Sequence, residues 1–355
     1  MMTSASIDCD DAWEAYNNNS FKEDLVLEDE VDSMTTNSDF LPKCSEIYIS
    51  TKTKISYLNK PIDLQRVFWD IKIMPYHHAG EGVIKKQMKY SFKTKEEAKH
   101  VDDMLSNESY YEQQSLIKID NPEGQVKFKD VRKISVGICS KDILSYRCKK
   151  KSAFYNCFVL IMRVKYNNRY KECHVKVFNT GKLELPGIQT EDFLHLILNN
   201  LVKILNTNCN LNIDYTRDKN ETVLINSNFT TNYYIDREML VDILKSKYNI
   251  NTTYDPCSYP GIMSKFYYNK LAKIQTGIEP AIKDSSISEV SFMIFRTGSV
   301  LIVGKCEEDA LIEIYEYLKN ILITECTYIR QQSAQETKKK GVVKKKVRRK
   351  TITLY

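Results

Sequence analysis

The side chains in this 355-residue chain that could do chemistry are not spaced to do it. Ten cysteines stand singly, at positions 9, 44, 139, 148, 157, 173, 209, 257, 306 and 326, with no Cys-x-x-Cys pair and no cysteine–histidine cluster at zinc spacing. They read as reduced, intracellular and mostly buried thiols. His77 and His78 are adjacent, which suits neither a shared helix face nor a usual zinc pair, and satisfied loop histidines are expected. The run Gly80-Glu81-Gly82-Val83-Ile84-Lys85 begins like a dinucleotide loop but breaks the pattern at its last glycine. Phosphate-loop, His-Glu-x-x-His and Gly-x-Ser-x-Gly motifs are missing from the sequence, so no enzyme, cofactor or metal is expected.

Charge is the stronger pattern. Residues 1 to 40 hold eleven acids against the single base Lys22, whereas Lys338 to Lys350 carry nine bases and no acid, within a net charge of +6. Neither end has enough apolar content to offset chain entropy, so residues 1–41 are expected as an acidic disordered tail and 331–355 as a basic one. Nine bases without an acid call for an electrostatic partner, DNA, RNA or an acidic protein, or serve as a nuclear import signal. No stretch approaches the roughly 18 uncharged apolar residues of a membrane span, so no membrane partner is expected.

Between the tails lies a duplication. Shifting the chain by 117 residues aligns eleven identities in the 28 positions starting at Phe178, among them Phe178 with Phe295, Thr180-Gly181 with Thr297-Gly298, Gly187 with Gly304, and Glu191-Asp192 with Glu308-Asp309. Each copy reads as strand, tight turn, strand, helix. Leu194, Ile197, Leu198, Leu201, Ile204 and Leu205 follow helical spacing, as do Leu311, Ile314, Tyr315, Leu318, Ile321 and Leu322. Upstream, Ile62-Asp63 and Ile235-Asp236 each open a short amphipathic stretch. Their offset of 173 leaves 56 extra residues in the first copy, between about Pro75 and Cys157. A helix-like run from Thr94 to Leu105 and a candidate strand from Val131 to Cys139 predict that this insert folds as an appendage.

In its order of segments the duplicated frame resembles the TATA-box-binding protein family. The second copy carries Tyr254-Asp255-Pro256, Tyr259-Pro260-Gly261-Ile262, Phe292-Met293-Ile294-Phe295-Arg296-Thr297-Gly298 and Val303-Gly304-Lys305. The first matches at Ile49-Ser50-Thr51, Ile161-Met162-Arg163 and Val177-Phe178-Asn179-Thr180-Gly181-Lys182. Together the likeness covers about residues 44 to 324. The acidic head, basic tail and insert are most similar to divergent members from large nucleocytoplasmic DNA viruses.

The resemblance implies an α+β fold: a duplicated saddle whose curved antiparallel sheet bears helices on its convex face. It implies a first half over 42–206, with an insert within about 76–156, and a second half over 207–330. In this family the concave sheet lies on a widened minor groove, phenylalanines wedge between base steps, and bases neutralise phosphates. Carried over, Phe178 and Phe295 are wedges and Tyr259 replaces a third. Strict register puts Cys157 at the fourth site, with Phe158 or Phe154 able to serve if a bulge shifts the strand. Arg163, Lys182 and Lys265 would meet phosphates. The asparagines that read the groove centre align with Ile47 and Leu224, and Asn226 and Asn228 lie nearby, out of register. The implied function is a general transcription initiation factor, in a host nucleus or a cytoplasmic viral factory, that bends AT-rich double-stranded promoter DNA and recruits initiation factors or RNA polymerase. The alternative is a protein–protein adaptor that keeps the fold without wedging DNA.

Overall fold

The computed structural model describes residues 40–144 and 156–331. Both charged runs that define the tails, and Phe154, lie outside the described residues. The described residues form two compact units, one built from residues within 54–221 and one from residues 40–53 together with 222–331.

The repeat dictates the same local devices in both. The first unit begins within β1 (Tyr48–Tyr57), which leads to Asp63; this residue sits in extended conformation and accepts hydrogen bonds from the Gln65 and Arg66 amides, capping α1 (Leu64–Asp70). In the second, β8 (Glu221–Thr230) leads to Asp236, which caps α5 (Arg237–Ser246) in the same way through the Glu238 and Met239 amides. The paired Thr-Gly turns follow: Gly181 and Gly298 both have φ of +83°. A Cβ at Gly181 would stand 2.7 Å from the Lys60 carbonyl oxygen, and one at Gly298 only 2.2 Å from Thr231 Oγ1, so nothing larger fits either corner.

The two long helices occur where the periodicity places them, α4 over Glu191–Cys209 and α6 over Glu308–Thr324. Thr190 caps the first through the Phe193 amide, and an acidic pair opens each where the helix dipole favours it. Lys54 reaches Glu191 in the first unit and Lys52 reaches Glu308 in the second, each at 2.5 Å. Leu194, Ile197, Leu198, Leu201 and Leu205 are fully buried against their sheet, as Leu311, Ile314, Leu318 and Leu322 are against theirs. One face of each sheet is thereby committed to the helices.

All the strand pairings resolved within the units are antiparallel. The second unit runs β8, β12 (Ser299–Gly304), β11 (Ile287–Ile294), β10 (Ile262–Asn269), β9 (Asn251–Thr253), and ends in the one-turn α7 (Cys326–Ile329). The first repeats this order as β7 (Lys182–Ile188), β6 (Arg169–Phe178), β5 (Cys157–Tyr166), β2 (Gly82–Phe92), and then goes on to β4 (Phe128–Gly137) and β3 (Tyr111–Asp120). The fold class is therefore the expected one, α+β with duplicated antiparallel sheet and helices on one face.

The insert departs from expectation in one respect. Its helix, α2 (Lys95–Leu105), and its strand β4 arise where the pattern put them, but they do not form an appendage. β2 holds the place that β9 holds in the second unit, and β4 pairs along its free edge. An unpaired edge on an eleven-residue strand leaves its amides and carbonyls without partners, so the added chain is drawn into the sheet. α2 then packs Ala98, Val101 and Leu105 onto the common core.

Candidate nucleic-acid interface

Strand alternation leaves each sheet a second face, turned away from the helices. In the second unit its floor is apolar: Leu224, Met293, Leu301 and Val303 are buried, with Tyr259, Met263 and Phe295 packed on them half-exposed. The Tyr259 and Phe295 rings lie 6.0 Å apart, tilted by 59°, at the strand ends. Gly261 permits this, since a Cβ there would press within 3.0 Å of the Phe295 ring and 3.1 Å of Tyr259. Lys265 stands on the same face by alternation and pairs with Glu289 at 2.7 Å. That carboxylate hydrogen bond raises the lysine's pKa and keeps it charged. At the strand ends Arg237, Pro260, Phe295, Arg296, Thr297 and Leu301 line a groove of about 340 Å³.

Parity also places Asn226 and Asn228 beside Leu224, because Ile225 and Phe229 are buried in the helix-side core. Asn226 is buried, donates to Thr51 Oγ1 at 3.1 Å, and its Oδ1 has no partner among the described residues. Alignment register set these asparagines aside. The period-two alternation of Leu224-x-Asn226-x-Asn228 was the sequence signal that could have found them. Ile47 instead packs partly buried against the second unit's helix-side core.

The first unit builds its corresponding face differently. Phe178 is half-buried at the end of β6, with the Lys182 ammonium 5.6 Å above its ring. It pairs in register with Cys157, a buried thiol whose pKa burial pushes up to about 11. Phe158 needs a correction as a wedge candidate. β5 and β6 pair without a break from Cys157 to Tyr166, so no bulge turns Phe158 outward. It is fully buried on the helix side, 6.5 Å from Phe68.

Arg163 is corrected too. It is only 8% exposed, and its guanidinium donates to the carbonyls of His78 at 2.8 Å and Tyr76 at 3.0 Å while stacking on the Tyr76 ring at 4.7 Å. Those residues belong to the segment between α1 and β2, which lies across this face and packs the half-buried Met74 and Tyr76 on the buried Ile84, Cys139 and Ile161. The short helix α3 (Ser140–Leu144) closes the same side: Asp142 takes Lys85 at 2.8 Å, and Glu172 takes the Ser140 amide and hydroxyl. Held by two carbonyls and a ring and almost wholly buried, Arg163 works as a latch for the strap and is not presented to a phosphate.

A curated "TATA-box-binding protein-like" protein of Acanthamoeba polyphaga mimivirus is 24% identical over 201 residues, which is 52% of each chain. The chain is similar to that viral TATA-binding-like protein. It spans about half the relative's length, and the resemblance carried by the motifs is borne out. Among solved structures, Methanococcus jannaschii TBP superposes with a TM-score of 0.37 at 14% identity, covering 79% of this chain and 99% of that one. No family model matches. None of the described helices is long and apolar enough to cross a membrane.

Proposed function

We propose that this chain is a TATA-binding-like transcription initiation factor that holds AT-rich duplex DNA against the helix-free faces of its sheets. The observation that carries the proposal is the second unit's face: two aromatic rings at strand ends over an apolar floor, with Lys265, Arg237 and Arg296 around them. Flat apolar groups so placed can insert between base steps, where a duplex opened toward the minor groove offers them a stacking surface. Phe178 with Lys182 supplies the matching site of the first unit. The bases of Lys338 to Lys350 add phosphate contacts, and the helix-bearing faces are left to initiation factors or RNA polymerase. Such work suits a host nucleus or a viral factory.

The strap across the first unit favours one rival, an adaptor that meets proteins instead of DNA. A gel-shift and bending assay on AT-rich duplexes over a salt series separates them, comparing the wild type, Phe178→Ala/Phe295→Ala and a chain ending before Lys338. Bending that the double substitution abolishes is the expected result. Unbent, steeply salt-dependent binding that disappears with the tail alone would leave the adaptor reading.

A further inference from the structure

The groove beside Phe295 carries charge that the described residues leave unanswered. Arg237 stacks over Tyr254 at 5.1 Å and donates to the Pro260 carbonyl, and Arg296 stacks over Tyr234 at 5.3 Å. Among the described residues neither guanidinium meets a carboxylate. Both are held by rings with an apolar wall of Phe295, Leu301 and Pro260 between them, a geometry suited to a ligand that is acidic and aromatic at once.

The chain carries such a segment, and it leaves the fold next to the groove. Phe40 is seated edge-on against Tyr233 at 6.2 Å under the Arg330 guanidinium at 3.7 Å, and Asn232 holds the Leu41 carbonyl and the Lys43 amide. Tyr234, next along the chain, is the ring beneath Arg296, and the Ile235 amide donates to the Arg296 carbonyl at 2.9 Å. Residues 1–39, which precede Phe40, contain eleven acids, one base, and Trp13, Tyr16, Phe21, Leu25 and Leu27.

We propose that the acidic segment 1–39 occupies the Arg237–Arg296 groove of its own chain, with its carboxylates on the two guanidiniums and an aromatic side chain against Phe295. Tethering at Phe40 makes this an intramolecular event at an effective concentration in the millimolar range, so modest contacts suffice. The basic C-terminal segment is the competing partner for the acids, since the Gln331 amide bonds the Tyr234 carbonyl at the same corner. Its Lys338 to Lys350 run has no aromatic residue and offers no apolar wall, and the groove has both. Occupancy would compete with DNA for Phe295, a consequence that rests on the function proposed above.

Trp13 reports on this directly, because Trp69 is the other tryptophan and Trp69→Phe leaves one emitter in the full chain. Acrylamide quenching of Trp13 should rise about twofold in Arg237→Glu/Arg296→Glu and equally in about 0.5 M salt. Arg296→Glu alone, on an exposed turn, should move it in the same direction with an unchanged melting curve. Quenching that ignores both variants, or that responds only when the bases of Lys338 to Lys350 are replaced, overturns the proposal. Changing the acids of 1–39 to their amides should then tighten AT-rich duplex binding about tenfold in the wild type, and leave the arginine double variant where it is. If no chain binds DNA, the proposed function fails while the quenching result still decides the groove.

Discussion

The helix-free faces of the two units began as copies and are now built for different conditions. The second is open, with Tyr259 and Phe295 half-exposed over Leu224, Met293 and Leu301, and Lys265 answering a single exposed glutamate. The first is strapped: Arg163, which the resemblance, like Lys265, sets against phosphates, donates to two backbone carbonyls, and the segment carrying Tyr76 and His78 covers Ile161. One inserted stretch explains the contrast. Its strap packs Met74 and Tyr76 over Ile84 of β2, Ile161 of β5 and Cys139 just after β4, and α3 adds the Lys85–Asp142 pair beside them. Duplication supplies two equal halves, but equality lasts only while both are solvated alike.

The comparison breaks most visibly at Phe158. If it is core, as its complete burial indicates, Phe158→Ala costs about 3–5 kcal/mol in urea unfolding. A variant of unchanged stability that has lost DNA affinity would restore it as a contact. Next in size, Tyr259→Ala/Phe295→Ala should weaken duplex binding by about 2–3 kcal/mol and abolish bending, and Phe178→Ala by about 1 kcal/mol, measured by titration at fixed salt. Equal losses from the two units would erase the asymmetry. For Arg163→Ala we expect about 1–2 kcal/mol of lost stability and little change in the salt slope of binding, because its hydrogen bonds are internal. Lys265→Ala should do the opposite, lowering the slope by about one unit at constant melting temperature.

The smallest effect is a pH dependence on the strapped unit. Lys86 is buried between the Phe68 and Trp69 rings, and burial lowers its pKa below the ordinary 10.5 despite Glu108 at 3.4 Å. The unfolded chain then binds the proton more readily than the folded one, so this group adds stability as pH rises toward 10.5. Thermal melts of wild type and Lys86→Met at a series of alkaline pH values should differ by that slope. Parallel curves would show that Lys86 is not desolvated as the packing indicates.

Much of the fold was legible because its signals are local. The Asp63 and Asp236 caps, the Thr-Gly turns and the apolar stripes of α4 and α6 each depend on residues within a turn or two of one another, and all occur where the repeat places them. The insert's helix and strand were readable for the same reason. Its destination was not, since an edge strand is chosen by whichever partner is free.

The candidate site was readable by type but not by state. Sequence alone determined that the chain is duplicated, that aromatic residues precede paired turns, and that acids and bases collect at opposite ends. Tertiary structure decided which of those groups face water. Arg163 and the carbonyls that hold it are 85 and 87 residues apart, and Asn226 meets Thr51 across 175. Burial and hydrogen-bond satisfaction at such separations are properties of the packed sheet, and no local pattern encodes them.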